Sequence, residues 1–395
     1  MAREDYAAQV ALLVRVLPYV AKEEIFALKG GTAINLFYRD LPRLSVDIDL
    51  TYLPVKDRAE SLVEINDAMD RIAAAIEGGI TGAKAQRIAG GGGGATRALA
   101  RLGTAEIKIE TSPVTRGVVH DPEQREVSEA VEEEFGYATM NIVSFEDLFG
   151  GKLHAALDRQ HPRDLYDVKL LYENEGFTDE LFRTFLIYVA SSPRPPHELL
   201  NPNLIDLDQP YAREFEGMTK EAVDLAELIA TRDRLIGDIQ SRLNDDAKRF
   251  LRTLHEGDPD FDAIDRPQGA GLPAVRWKLI NVNNPNKNAQ AAFTGAVVEL
   301  LPFCGRQVEV DGLLIEDPDL GATKIYLVQK IRAEGDVEWI AANRWTKEWA
   351  GVHPGAEGKG PWFRRDPRVN AEIAAHGYTG IGVEEEKPFL KELFE

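Results

Sequence analysis

The chain has 395 residues, of which 44% are hydrophobic and 28% charged, as expected for a globular protein with enough apolar material for two or three domains. Its formal net charge of −20 argues against a general attraction to nucleic acid, so any phosphate-backbone contact must come from a local basic patch. A single cysteine, Cys304, excludes an internal disulfide. Without a signal-peptide layout or an apolar run of bilayer length, the sequence predicts a soluble cytoplasmic protein that contacts no membrane.

The first part of the chain predicts helices alternating with strands. Apolar residues at helical spacing predict a helix that begins near Glu4 and stops before Pro18. A buried strand over 25–29 runs into the pair Gly30 and Gly31. The elements that follow are a helix over 33–38, a strand over 45–53, a helix over 56–77, and strands over 83–88, 96–102 and 105–111, with a glycine hairpin tip at 90–94.

The second part is first helical and then rich in strands. Ser144 is predicted to cap the first helix of this part. Helices are predicted over 147–159, 164–174, 178–190, 217–240 and 245–255. Strands are predicted over 294–300, 306–315, 324–331 and 337–342, a region that contains Trp339, Trp345, Trp349 and Trp362.

The strongest local signal for chemistry combines a glycine turn with two aspartates. Asp47 and Asp49 are two residues apart on a predicted strand, so their carboxylates share one face. Two carboxylates held this close repel each other unless a cation lies between them. The pair Gly30 and Gly31 lets backbone N–H groups approach phosphate oxygens, and Thr32 adds a hydroxyl. The pattern predicts phosphoryl or nucleotidyl transfer with divalent cations.

Each piece of this signal has a simpler interpretation when it stands alone. An Asp-x-Asp pair in a strand is often solvated surface, or a Ca²⁺ or glycosyltransferase site, and a Gly-Gly pair is usually only a turn. The order of the pieces is the specific feature, with 14 residues between Thr32 and Asp47. Lys29 and Arg43 are the candidate counter-charges for phosphate.

These motifs resemble those of the AbiEii/AbiGii-type toxins, a branch of the DNA polymerase β-like nucleotidyltransferase superfamily that includes the mycobacterial MenT toxins. The similarity covers about residues 1–285. It is carried by the segments 28–36, 43–50, 107–110, 148–153, 163–168 and 272–279.

The resemblance implies an α/β fold in which residues 1–130 would form a polymerase β-like nucleotidyltransferase core, and residues 131–285 an α-helical domain that closes the cleft. Residues 289–395 lie outside the resemblance, and their predicted strands indicate a β-rich accessory domain of unknown role.

The resemblance also implies roles for individual residues. Gly30, Gly31 and Thr32 would bind the triphosphate, with Lys29, Arg43 and Ser45 beside it. Asp47 and Asp49 would hold Mg²⁺ or Mn²⁺, with Glu110 as a candidate third metal ligand. An ordinary surface pair of Lys108 with Glu110 is the alternative for that residue. Lys152, Asp164 and Asp167 match later family motifs that are needed for activity.

The implied activity is that of a type IV-like toxin, neutralised by a cognate antitoxin, that transfers a nucleoside monophosphate (NMP) from an NTP to an acceptor hydroxyl. A tRNA 3′ end is the favoured acceptor, and the densest basic stretch, which includes Lys152, Arg159, Arg163 and Lys169, is the candidate RNA contact. NMP transfer to a protein hydroxyl (AMPylation) is the enzymatic alternative. A catalytically idle nucleotide- or partner-binding module is the alternative from another class.

Overall fold

The computed structural model describes residues 2–88 and 96–282, together with strands at 308–317, 323–333 and 337–340. Its contacts divide the chain into two compact units, Met1–Leu279 and Ile280–Glu395. The finer boundaries at 130 and 289 stay predictions. Several predicted features lie outside the described residues, namely the glycine run 90–94, the strand over 294–300, Cys304, and Trp345, Trp349 and Trp362.

The first unit is built on one mixed sheet of seven strands. In chain order these are β1 (Phe26–Lys29), β2 (Ile48–Tyr52), β3 (Lys84–Ile88), β4 (Arg97–Leu102), β5 (Ala105–Thr111), β6 (Glu123–Glu126) and β7 (Thr139–Ile142). Their order across the sheet is β3-β4-β5-β2-β1-β7-β6. Strand β2 lies near the centre, antiparallel to β1 and parallel to β5. The ends of β1 and β2 that carry Lys29 and Asp49 therefore lie beside each other.

The described residues also form twelve α-helices. They are α1 (Ala2–Val20), α2 (Gly30–Ala33), α3 (Arg58–Gly79), α4 (Glu129–Phe135), α5 (Phe145–Arg159), α6 (Pro162–Asn174), α7 (Asp179–Ser191), α8 (Pro196–Leu200), α9 (Asp208–Glu214), α10 (Leu225–Ser241), α11 (Asp245–Glu256) and α12 (Pro273–Val282). The sheet and its helices confirm the predicted α/β architecture with an adjoining helical part.

Strict alternation along β4 and β5 separates an apolar face from a charged one. Ala98, Ala100, Ile107 and Ile109 are buried, and α1 packs on β5 while α3 packs on β3 and β4. The alternate residues of both strands point away from this core and include most of their charges. Burying the apolar face therefore places the charged face toward the candidate site.

Three of the boundaries that differ from the sequence prediction have a local physical reason. Helix α1 continues through Pro18 to Val20, since only one backbone hydrogen bond is lost close to the helix end. Strand β2 begins at Ile48, so Asp47 lies one residue before it. Helix α10 begins at Leu225 rather than 217, because Asp224 and Glu227 form a capping box there.

Residues 218–220, before α10, pair with residues 42–44, before β2. Arg43 pairs with Thr219 in an isolated β-bridge, and the backbone N–H of Leu44 donates to the carbonyl of Met218 at 2.9 Å. The N–H of Lys220 donates to the carbonyl of Pro42 at 2.8 Å. These bonds hold the segment before β2 in place.

The second unit contains a separate antiparallel sheet in its described part. Its strands are β8 (Val308–Asp317), β9 (Thr323–Ala333) and β10 (Val337–Ile340), in the order β10-β9-β8. They match three of the four strands predicted for this region. Among the described helices, none combines the length and apolar character needed to cross a membrane.

Candidate active site

The glycine turn after β1 is interlocked with the side chains of the predicted site. Gly30 has φ +76°, which disfavours any residue with a side chain. A Cβ at Gly30 would lie 2.8 Å from Oδ2 of Asp49, and one at Gly31 would lie 2.5 Å from Nη2 of Arg43. The two glycines therefore leave room for the side chains of Asp49 and Arg43, and the predicted approach of phosphate to this turn stays a prediction.

Thr32 ties this turn to the aspartate segment. Its hydroxyl is buried, donates to the backbone carbonyl of Asp47 at 2.5 Å and lies 3.1 Å from Oγ of Ser45. The hydroxyl is thus engaged with the protein and fixes the backbone at Asp47. A direct triphosphate contact for Thr32 or Ser45 stays a prediction.

Four charged residues lie in register across four neighbouring strands. Lys29 on β1 is opposite Asp49 on β2, Asp49 is opposite Glu110 on β5, and Glu110 is opposite Arg97 on β4. Residues in register share a face of the sheet, so this row has a cation at each end and two carboxylates between them. A cavity of about 330 Å³ opens along the row, and all four residues line it together with Leu50, Thr96, Thr111, Ser112 and Pro113.

The electrostatics of the row centre on Asp49. Burial raises the pKa of Asp49, and Glu110 and Asp47 raise it further, against the lowering effect of Lys29. Burial likewise lowers the pKa of Lys29, although Asp49 and Glu110 oppose this. The ionised form of Asp49 is thus disfavoured by like charges, and a cation would relieve that repulsion.

The three predicted metal ligands do not form one ligand set. Asp47 is exposed and Asp49 largely buried, whereas Oε2 of Glu110 lies 2.8 Å from both Arg97 and Lys108. Within the described part of the chain, no three His, Cys, Asp or Glu side chains form a group that could hold a metal ion. Asp47 and Asp49 remain the two carboxylates suited to a divalent cation. Oε2 of Glu110 lies near two cations but is a buried acceptor without a hydrogen bond, so its role as a metal ligand stays a prediction.

A buried chain of ion pairs lies behind the glycine turn. Arg43 donates from Nε and Nη2 to the two carboxylate oxygens of Asp167, both at 2.6 Å. Lys152 lies 2.8 Å from Asp167 and 2.9 Å from Asp164, and Arg159 binds Asp164 from the solvent side. Arg43, Lys152 and both aspartates are at most 6% exposed. These charges are held by one another.

The family model for the nucleotidyl transferase AbiEii toxin of type IV toxin–antitoxin systems matches residues 11–281. The chain belongs to this family. It is therefore a nucleotidyltransferase toxin by family, and membership implies an antitoxin partner and an NTP substrate. A comparison with curated proteins finds no match.

Among solved structures, MenT4, nucleotidyltransferase toxin Rv2826c from Mycobacterium tuberculosis H37Rv, is similar to this chain. The two share 16% sequence identity with a TM-score of 0.46. The alignment covers 63% of this chain and 91% of MenT4.

The ion-pair chain changes the interpretation of several AbiEii motif residues. The guanidinium of Arg43 donates from Nε and Nη2 to Asp167 and from Nη1 to the carbonyl of Leu44. Its three nitrogens are therefore engaged with the protein behind the glycine turn and do not face solvent. Lys152, Asp164 and Asp167 are likewise enclosed. Burial would lower the pKa of Lys152, but Asp164 and Asp167 raise it above its usual value. A catalytic role for these residues stays a prediction.

The glycine pair before Lys152 packs against a tyrosine. A Cβ at Gly150 would lie 3.2 Å from the ring of Tyr188 on α7, and one at Gly151 would lie 3.3 Å from it. The Tyr188 hydroxyl donates to Asp147 at 2.9 Å. Close packing of α5 on α7 therefore accounts for these glycines, where the sequence suggested an approach for phosphate.

The predicted basic RNA contact is largely neutralised. Lys152 is buried, Arg159 is bound to Asp164, and Lys169 pairs with Glu173 at 2.6 Å and with Glu227 at 3.5 Å. Arg163 is exposed, and the use of this stretch as an RNA surface stays a prediction.

Two residues that the sequence reasoning missed hold the site together. Asn35 is fully buried, donates to the carbonyl of Gly31 at 2.6 Å and accepts from the N–H of Arg43 at 3.4 Å. The Tyr6 hydroxyl accepts from the backbone N–H of Ser45 at 2.6 Å. The spacing of Asn35 four residues after Gly31 on a helical segment is a usable signal. Tyr6 has none, since it lies far from Ser45 in the chain.

Gly30→Ala is expected to damage the site by more than backbone strain. A Cβ would force Asp49 aside, so we expect transfer to fall by at least about tenfold. Gly103→Ala is the matched control, because Gly103 also has a positive φ, of +60°, but nothing lies within 4 Å of its Cβ position. Thermal melts and turnover of both variants separate the effect of backbone strain from the effect of displacing Asp49. Equal activity losses in the two variants would contradict a specific contact with Asp49.

Proposed function

We propose that this toxin transfers an NMP from an NTP to an acceptor hydroxyl, and that the acceptor is the 3′ end of tRNA. The observation that carries the transfer is the position of Asp49. Its carboxylate lies against the Gly30 turn, between partly buried Lys29 and a second carboxylate, Glu110, with Asp47 close enough to raise its pKa.

Mg²⁺ or Mn²⁺ is the proposed cofactor, held by Asp47 and Asp49. Oxygen ligands suit these hard cations, and the mutual repulsion of the carboxylates favours a bound cation. A bound divalent cation would lower the pKa of the attacking hydroxyl and neutralise charge on the leaving pyrophosphate.

The residues of this chain would contribute orientation and charge. The turn at Gly30 and Gly31 presents backbone N–H groups to the triphosphate, and partly buried Lys29 supplies a nearby positive charge. The acceptor oxygen bonds to the α-phosphorus, the bond from that phosphorus to the bridging oxygen breaks, and pyrophosphate leaves. The hydroxyl proton passes to water.

The test is to incubate the protein with each α-labelled NTP, Mg²⁺ and a total cell extract, with and without RNase. We expect label on RNA of tRNA size, abolished by RNase, with a preference for one NTP. A labelled polypeptide band that resists RNase would overturn the tRNA acceptor in favour of protein AMPylation. No transfer from any NTP would overturn the proposed activity.

A further inference from the structure

Arg97 lies at the outer end of the charged row and belongs to none of the motifs shared with the family. It starts β4 opposite Glu110, and its side chain, 45% exposed, lines the same cavity as Asp49. Thr96 and Ser112 add hydroxyls to this part of the lining. The position combines an accessible guanidinium with hydrogen-bonding partners next to the proposed reaction centre.

Glu110 orients this arginine without occupying all of it. Arg97 pairs with Oε2 of Glu110 through Nε, at 2.8 Å, and its side chain is 45% exposed, so part of the guanidinium is accessible to another ligand. Glu110 also binds Lys108 at 2.8 Å through the same oxygen. Partly exposed ion pairs of this kind are worth little, so Arg97 can turn toward an anion at small cost. A guanidinium fork matches the oxygens of a phosphate group.

The cavity begins at Lys29, beside the glycine turn, and extends away from the turn across β2. The turn follows β1, whereas the cavity extends over β5 and β4 in the opposite direction across the sheet. Transfer at phosphorus requires the attacking and leaving oxygens to be roughly in line. If the triphosphate lies on the turn, the acceptor must enter from the side of the cavity.

The charges on this face suit a polyanion, although the chain as a whole repels one. On the same face of β3, β4 and β5 as this row, the basic residues are Lys84, Arg97, Arg101 and Lys108, and the acidic residues are Glu106 and Glu110. In a chain with a formal net charge of −20, such a face is the kind of local basic surface that a nucleic acid requires.

We propose that Arg97 binds a backbone phosphate of the acceptor strand, next to the hydroxyl that attacks, and that Glu110 serves to orient Arg97. The inference rests on the proposed function, since it presumes a polynucleotide acceptor. Arg97 would act on acceptor binding and leave NTP binding to the glycine turn.

The test compares Arg97→Ala with the wild type in steady-state transfer to tRNA, varying tRNA and NTP separately. Loss of a charge-assisted phosphate contact should raise KM for tRNA by about tenfold, with KM for NTP changed by less than about twofold. The slope of log KM against log salt should fall by about one. Arg97→Lys should recover part of the tRNA affinity, because it restores charge without the fork.

Arg101→Ala is the matched control. Arg101 forms the equivalent cross-strand pair with Glu106 on the same hairpin, but it does not line the cavity. Its removal should lower stability as much as Arg97→Ala and change KM for tRNA by less than about twofold. Glu110→Gln should raise KM for tRNA moderately while leaving Mg²⁺-dependent stabilisation intact.

The outcomes separate this inference from the proposed function. Wild-type protein that labels no RNA would refute the tRNA acceptor itself. Wild-type protein that labels tRNA while Arg97→Ala leaves KM for tRNA unchanged, or while Arg101→Ala raises it equally, would refute the role of Arg97. Loss of Mg²⁺ binding in Glu110→Gln would show that Glu110 is a metal ligand and not a tether.

Discussion

Replacing Asp49 with asparagine is expected to reduce nucleotide transfer by at least about a thousandfold while raising the melting temperature of the metal-free protein. The loss of activity follows from removing the carboxylate proposed to hold the cation, a change that removes charge stabilisation of the transition state. The gain in stability follows because the folded protein disfavours the ionised form of Asp49, through burial and through the charges of Glu110 and Asp47.

The pH dependence of this gain has a definite sign. Because folding raises the pKa of Asp49, the folded state binds the proton more tightly than the unfolded state. Wild-type stability therefore falls as pH rises from about 4, the ordinary aspartate value, through the raised value in the folded protein. Asp49→Asn lacks this loss, so its advantage in melting temperature should grow over that window and then level off.

Melting curves in EDTA and with added Mg²⁺ or Mn²⁺ measure both effects. The cation should stabilise the wild type and have little effect on Asp49→Asn. Glu106→Gln is the control, since Glu106 lies on β5 at the end away from Asp49 and pairs with Arg101. Transfer near the wild-type rate in Asp49→Asn would refute the proposed metal site, and so would equal stabilisation of both proteins by the cation.

The part of the site that is local in sequence could be predicted, because short-range geometry determines it. Glycines at 30 and 31 and the alternation around Asp49 indicate a tight turn beside a strand with a charged face, and both are observed. The alternation along 105–111 similarly predicts β5 with the same bounds that the structure has. In each case the residue types and their spacing along the chain are enough to predict the local structure.

The partners of the charged residues could not be predicted, because they come from distant parts of the chain. Arg43 and Asp167 are separated by 124 positions, and only the packing of α6 behind the turn brings them together. A charged residue quoted in a motif gives no sign of whether it faces a ligand or a buried counter-ion. Gly150 illustrates the same limit, since its closest neighbour, Tyr188, lies on another helix.

Asp167→Asn is expected to destabilise the fold by about 3–5 kcal/mol, the cost of leaving buried cations without their counter-charge. The side chain of Asp167 is fully buried, and its two oxygens bind Arg43 and Lys152. Burial alone would raise the pKa of Asp167, but Arg43 and Lys152 hold it below the ordinary value. Asparagine keeps the shape and removes the charge, so Arg43 loses its counter-charge and Lys152 keeps only Asp164, in a site that excludes water.

The pH profile and a matched pair distinguish this buried network from ordinary surface ion pairing. Since folding lowers the pKa of Asp167, its contribution is present above about pH 4 and is lost as pH falls through the folded value. Denaturant melts at pH 7 and at pH 3 should therefore show a smaller difference between wild type and variant at the lower pH. Glu23→Gln removes a similar forked pair with Arg71, whose side chain is 57% exposed, and should cost less than about 1 kcal/mol. If both substitutions cost the same, the charges behind the glycine turn are solvated rather than buried, and Asp167 does not hold Arg43 in place through a desolvated ion pair.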